Sequence, residues 1–198
     1  MAFVNVPARE ICCKIVYVGP GLSGKTKNVE LIYERTAPSA KGKLLSLKTD
    51  TERTLFFDFL PIDLGSLGGF RTRIQLYTAP GQIYYAASRR LILRGADGVV
   101  FVADSQRARV EANAESMDDL RDGLADQGLT LDGVAFVVQY NKRDLDEIAT
   151  VEELRGLLNQ DGYPEIEAVA AKGIGVFETL KLISRSTLKR LELGRTRR

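Results

Sequence analysis

The run Gly19-Pro20-Gly21-Leu22-Ser23-Gly24-Lys25-Thr26 narrows the folds open to this chain more than any other feature. It satisfies G-x-x-x-x-G-K-[ST] at every fixed position. The apolar run Ile15-Val16-Tyr17-Val18 stands before it, and Lys25–Arg35 follows with Val29, Ile32 and Tyr33 at helical spacing. A strand, a glycine-rich turn and a helix in that order form a cradle for phosphate. Gly19, Gly21, Leu22, Ser23 and Gly24 present backbone N–H groups to phosphate oxygens, and the helix start adds its positive dipole end. Lys25 supplies a point charge near the β- and γ-phosphates, Thr26 a hydroxyl for Mg²⁺, and Lys27 stands beside them at the start of the helix.

The same residues also fit G-x-G-x-x-G through Gly19, Gly21 and Gly24, the dinucleotide fingerprint. That reading needs an acidic residue ending the next strand. Lys41-Gly42-Lys43-Leu44-Leu45 has none there, so a nucleoside phosphate is expected instead.

Further apolar runs without alternation, Gly98–Ala103 and Val134–Gln139, suit strands covered on both faces. Ala87–Leu93, Ala112–Leu124 and Val176–Leu193 read as helices between and after them. Leu55–Phe59 and Phe70–Tyr77 read as an antiparallel hairpin joined through Gly65–Gly69. The expected fold is a three-layer α/β/α P-loop architecture: a mostly parallel sheet with an antiparallel edge hairpin. A single domain is expected over residues 1–198, with a short extension at 1–10 and a basic tail at 194–198.

A second short motif names the base. Asn141-Lys142-Arg143-Asp144 ends a strand and resembles the N-K-x-D motif of GTPases. The Asp144 carboxylate can accept from guanine's ring N–H and exocyclic amine together. Adenine lacks that donor pair and is rejected. The Asn141 amide can serve the base and tie its loop to the phosphate loop, and the Lys142 stem can lie over base and ribose. An ATPase or kinase with the same phosphate loop would have no need of Asp144. A third base loop is expected at Val169-Ala170-Ala171, where Ala170 and Ala171 offer backbone N–H groups. Lys172 falls one place beyond the aligned triplet.

The remaining nucleotide contacts depart from the usual GTPase pattern. After the hairpin the chain reads Thr78-Ala79-Pro80-Gly81-Gln82, where small GTPases carry D-x-x-G. Gly81 keeps its place toward the γ-phosphate. Thr78 replaces the aspartate, and its hydroxyl can hold a Mg²⁺ water but brings no charge. Gln82 stands where the attacking water is oriented. Upstream, Thr54 is the chosen γ-phosphate and Mg²⁺ sensor ahead of Thr51 and Thr49, and Arg53 can turn inward against transition-state charge.

These marks together resemble the MglA family of bacterial Ras-like small GTPases. The resemblance runs from about Val4 through Leu193. It is carried by Lys14–Thr26, Arg53–Pro61, Thr78–Gln82, Ser88–Gly95 and Asn141–Asp144. It implies GTP and GDP as ligands, Mg²⁺ as cofactor, and slow hydrolysis stimulated by a homodimeric Roadblock-fold activator of the MglB type. It implies that the activator drives a register shift of the edge strand. That shift delivers Arg53 and Gln82, brings Thr54 into place and swings Phe56, Phe57 and Phe59. Effectors of polarity or motility in the GTP state complete the expected partners. Thr78 is a family feature, whereas Lys27 and Ala79 stand where threonine and valine are usual. A guanine-nucleotide scaffold with negligible hydrolysis is the alternative.

Composition excludes several other classes. The chain has no histidine, which rules out histidine catalysis and histidine metal sites. Net charge is +2 with acids and bases interleaved, so no nucleic-acid surface is expected. Cys12 and Cys13 are the only cysteines, adjacent and predicted to face opposite sides of a strand, so no disulfide is expected. No apolar run reaches membrane-span length, Met1–Arg9 lacks a signal-peptide layout, and no site for prenyl or myristoyl attachment is present. A cytoplasmic protein without a lipid anchor, brought to a cell pole by partners, is the expectation.

Overall fold

The computed structural model describes residues 3–48, 54–81 and 85–196. Among these, the chain order is β1 (Phe3–Asn5), β2 (Glu10–Val18), α1 (Lys25–Arg35), β3 (Leu45–Lys48), β4 (Thr54–Leu67), β5 (Phe70–Thr78), α2 (Ala86–Leu93), β6 (Gly98–Asp104), α3 (Val110–Ala125), β7 (Ala135–Asn141), α4 (Val151–Leu158), β8 (Glu165–Glu167) and α5 (Val176–Thr196). The strands lie in the order β3-β4-β5-β2-β6-β7-β8. Pairings from β5 through β8 are parallel, and β3-β4 and β4-β5 are antiparallel. This is a mostly parallel sheet with an antiparallel edge, as the alternation of apolar runs and amphipathic stretches predicts.

The two faces of β2 explain the layering. Val16 and Val18 face a core with Val99, Phe101, Phe136 and Val138, covered by Leu93 of α2, Met117 and Leu120 of α3 and Leu154 of α4. Ile15 and Tyr17 face the other side with Val100, Val102 and Val137, covered by Val29 and Ile32 of α1 and Leu180 and Ile183 of α5. Strand β6 is buried along its whole length. Each such aliphatic side chain contributes about 1.5–3 kcal/mol by leaving water. The unalternating runs therefore reflect cover on both faces.

The edge differs from expectation in ways that matter for the site. β4 runs to Leu67, so Gly65 lies within the strand, at the register shift between Asp63 and Ser66. The turn itself is Gly68-Gly69, with φ +58° and +80°. Positive φ at both positions is what a two-residue hairpin turn between right-twisted strands demands. β3, absent from the sequence reading, forms the outermost strand. Phe3–Asn5, read as an extension, pairs antiparallel with Glu10–Cys12 where β6 leaves β2 uncovered. Helix α5 continues to Thr196, into the segment read as a tail. Helix α4, also unread, carries a local start signal: Thr150 and Glu153 form a reciprocal capping box. Cys13 is buried and Cys12 half-buried, and both thiols are free.

Candidate functional site

The phosphate loop begins where β2 ends at the C-terminal edge of the sheet. Gly19 has φ +138°, and a Cβ there would lie 2.3 Å from the Val102 carbonyl oxygen. Gly24 has φ +101°, and a Cβ there would lie 2.2 Å from the Asn141 amide nitrogen. Both fixed glycines are thus required by neighbours on β6 and at the end of β7, quite apart from any ligand. Leu22 adopts φ +67° although it is not glycine, and its side chain is 88% exposed. Such a conformation costs about 1–3 kcal/mol unless surrounding structure enforces it.

Lys25 folds back across this loop. Its Nζ donates to the carbonyls of Gly19 at 2.9 Å and Pro20 at 2.6 Å. Burial chiefly, with Arg89 and Arg109 adding repulsion against the opposing pull of Asp58, lowers its proton affinity to a pKa of about 7. Gly81 packs directly on the loop: a Cβ there would lie 2.5 Å from the Gly21 nitrogen and 2.6 Å from Lys25 Nζ. Lys27, the next residue of α1 after Thr26, pairs with Glu30 at 3.8 Å, both side chains partly exposed.

Below the loop sits a buried carboxylate that the sequence reading did not single out. Asp58 of β4 accepts from Thr26 Oγ1 at 2.7 Å and from Thr78 Oγ1 at 2.8 Å, both on Oδ2. Ser46 of β3 donates to its Oδ1. The Asp58 backbone N–H donates to Thr78 Oγ1 at 2.8 Å. Asp58 is 2% exposed and Thr78 1% exposed, so the pair lies in the interior. The Thr78 position carries no charge of its own, but the adjacent strand brings a carboxylate to the same place. One carboxylate with two hydroxyls and phosphate oxygens is a donor set suited to Mg²⁺, a hard cation bound through few protein ligands. Tyr77 packs at a tilt against Phe57 and Phe59, with ring centroids 5.8 and 4.9 Å apart, across β4 and β5 beside this cluster.

The base loops are joined to the phosphate loop by a single side chain. Asn141 Nδ2 donates to the Ser23 carbonyl at 2.7 Å, and its Oδ1 accepts from the Ala170 N–H at 2.9 Å. Lys142 adopts φ +65°, and its Nζ donates to the buried Asp104 at 2.6 Å. Asp144 lies beyond, its Oδ2 2.9 Å from Lys172 Nζ, and this lysine holds its carboxyl below the usual range. Ala170 is buried and Ala171 exposed. Lys172, which spacing set outside the triplet, therefore reaches the base loop. The Asn141 side chain holds that loop at the Ala170 N–H. The ionised Asp144 can accept from two neighbouring donors, which is what guanine presents.

Thr54 is the first residue of β4, opposite Lys48 in register. Arg53, Gln82, Thr49 and Thr51 lie outside the described residues.

No protein-family model matches the chain. The "Mutual gliding-motility protein MglA" of Myxococcus xanthus (strain DK1622) is 58% identical over 194 residues, spanning 98% of this chain and 100% of that protein. The chain belongs to the MglA family of small GTPases. In this MglA-family chain the candidate site draws on β4 and on the four connections after β2, β5, β7 and β8. Asp58 and Ser46 escaped the sequence reading because their contacts cross strands and form no local motif. A carboxylate in the strand opposite the missing D-x-x-G aspartate was the available signal. Arg109, at the entry to α3, also reaches the site: its Nη2 donates to the Gly21 carbonyl at 3.0 Å. No helix among the described residues is long and apolar enough to cross a membrane.

Proposed function

We propose that this chain is a GTP-binding and GTP-hydrolysing switch of the MglA type, folded as one domain. The observation that carries the reading is Asn141. It ties the phosphate loop at Ser23 to the third loop at Ala170, with Asp144 following on its own loop. A chain so joined reads phosphate and base as one ligand, and Asp144 makes that base guanine.

In this reading Gly19, Gly21, Leu22, Ser23 and Gly24 cradle the phosphates, with Lys25 on the β- and γ-oxygens and the Gly81 N–H on the γ-phosphate. Asn141, Lys142, Asp144, Ala170 and Ala171 hold the base. Thr26, Thr54 and Asp58, with Thr78 through water, would hold Mg²⁺. Bound there, the ion would supply neutralisation of the phosphate charge. Arg53 turns inward to balance transition-state charge and Gln82 orients the attacking water. Hydrolysis is slow until a Roadblock-type homodimer shifts the edge strand.

The register breaks of β4 against β3, between Ser46 and Lys48, and against β5, between Asp63 and Ser66, support a strand able to slide. The name of the Myxococcus relative supports a role in gliding motility. In this reading the protein is cytoplasmic and partners recruit it to a cell pole.

Phosphate release from GTP, with and without a cognate Roadblock protein, tests the reading. Stimulation is expected, and Arg53→Ala or Gln82→Ala should abolish it while nucleotide binding persists. Absence of stimulation would instead favour a guanine-nucleotide scaffold. Displacement of labelled GTP by ATP as readily as by GTP would overturn the guanine assignment.

A further inference from the structure

Among the described residues, the buried side-chain polar atoms without a hydrogen-bond partner are Tyr17 Oη, Ser23 Oγ, Ser105 Oγ and Arg109 Nε. All but Tyr17 gather at the phosphate loop. Ser23 belongs to it, and Ser105 donates its N–H to the Asn141 carbonyl beside it. Arg109 carries its guanidinium into contact with the Gly21 carbonyl. An arginine half-buried with an unmet Nε, and with no carboxylate of the described residues on it, is held there at a cost. Its other contact must therefore matter to the loop.

Local backbone geometry says how. Ser23 N–H donates to the Pro20 carbonyl at 3.3 Å, closing a turn over Pro20-Gly21-Leu22-Ser23. Leu22 stands at the third position with φ +67°. Type I and type II turns share that closing bond and differ by a flip of the central peptide. Only the type II orientation needs positive φ at the third residue, where glycine is normally required. Leucine there favours the type I orientation. Its exposed side chain makes no packing that could hold the strained one. The Arg109 bond falls on the carbonyl of that central peptide, Gly21 C=O. Because a trans peptide sets C=O and N–H on opposite sides, pulling the carbonyl toward α3 turns the Leu22 N–H the other way.

We propose that Arg109 is a positioning residue of the phosphate loop, latching the Gly21–Leu22 peptide in the orientation that aims the Leu22 N–H at phosphate. This rests on the reading of the loop as a guanine-nucleotide site. Without Arg109 the peptide relaxes toward the unstrained flip, and the cradle loses one donor and gains a carbonyl facing the anion. A latch on a leucine, rather than a free glycine, ties phosphate affinity to the position of α3.

The test uses the full chain and calorimetric binding of GDP and of guanosine, which lacks phosphate. Arg109→Ala should weaken GDP by about tenfold, the worth of one charge-assisted hydrogen bond, and leave guanosine unchanged. Arg109→Lys should recover part of the loss. Leu22→Gly removes the bias toward the other flip, so adding Arg109→Ala to it should cost much less than in the wild-type background. The Leu22 amide resonance should shift on GDP addition in the wild type and not in Arg109→Ala. Equal GDP affinity in wild type and Arg109→Ala overturns the proposal. So does an equal loss for GDP and guanosine, or an undiminished effect in the Leu22→Gly background. Failure of the wild-type chain to bind either ligand overturns the guanine-nucleotide reading itself, and the latch with it.

Discussion

Thr78 and Asp58 exchange hydrogen bonds across β4 and β5: the Asp58 N–H donates to Thr78 Oγ1, and that hydroxyl donates back to the Asp58 carboxylate, each at 2.8 Å. A threonine in place of an acid therefore moves the negative charge to the neighbouring strand without removing it. The move has a mechanical consequence. Asp58 belongs to the strand that carries both register breaks, so sliding β4 would carry the carboxylate with it. In the proposed reading, metal affinity and strand register would then be one variable, an arrangement that an aspartate at position 78 would not give.

Asp58→Asn should uncouple nucleotide from Mg²⁺. The substitution keeps shape and loses charge. In the wild type, chelating Mg²⁺ should speed release of labelled GDP about 10–100-fold, the usual worth of a ligand-level perturbation at a metal site. In Asp58→Asn the release rate should be high and indifferent to chelator. A variant that still responds to Mg²⁺ like the wild type would place the metal elsewhere.

Asn141→Ala should lower stability even without nucleotide. It strips the partners from two buried backbone groups, the Ser23 carbonyl and the Ala170 N–H. Each unmet group costs about 1–3 kcal/mol. Urea unfolding should show a loss of that order, and GDP affinity should fall by more than about tenfold because both loops are released together. Unchanged stability would mean that the loops are held by other contacts.

How far these features could be read in advance follows from where their contacts lie in the chain. Gly19–Thr26 and Asn141–Asp144 are contiguous, with chemistry written in neighbouring residues, and the strands that carry them are apolar enough to read directly. Thr150 and Glu153 held the same kind of local signal for α4, which lay within reach of a capping-box search. Asp58 was hidden because its meaning depends on register with β5, which no local pattern reports. Lys172 was set aside because it falls one place beyond the aligned triplet, and its contact with Asp144 joins two loops that no local pattern relates. β1 is too short to show a period, and its partner on β2 is made available only by where β6 stops.

Cys13 should resist alkylation at mildly alkaline pH. Burial pushes its thiol up to about 12, and burial likewise raises Cys12. Below pH 9 both stay protonated and poorly nucleophilic. The sign for stability follows from the same shift. Cys13 binds its proton more tightly folded than unfolded, so its contribution is complete below about pH 9 and is lost as pH rises toward 12. Iodoacetamide at pH 8 should label the unfolded chain far faster than the native one, and urea midpoints should fall between pH 9 and 11. Rapid native labelling of Cys13 would show that β2 opens readily.

Gly81→Ala should act on the free protein more than on its GDP complex. The packing of Gly81 on Gly21 and Lys25 leaves no room for a methyl group: the Gly21 nitrogen is backbone and cannot yield as a side chain would. The closed arrangement is thus penalised, by about 1–3 kcal/mol for an overpacked contact. Lys25 is then drawn less toward the Gly19 and Pro20 carbonyls. A ligand that needs the loop open competes against a weaker closed state and gains apparent affinity by the same factor. Thermal unfolding should show a lower midpoint for nucleotide-free Gly81→Ala than for the wild type. The rise in midpoint on adding GDP should be larger. An equal loss in both forms would mean that the Gly81 contact persists with GDP bound, and that closure of this turn onto the loop is not what nucleotide displaces.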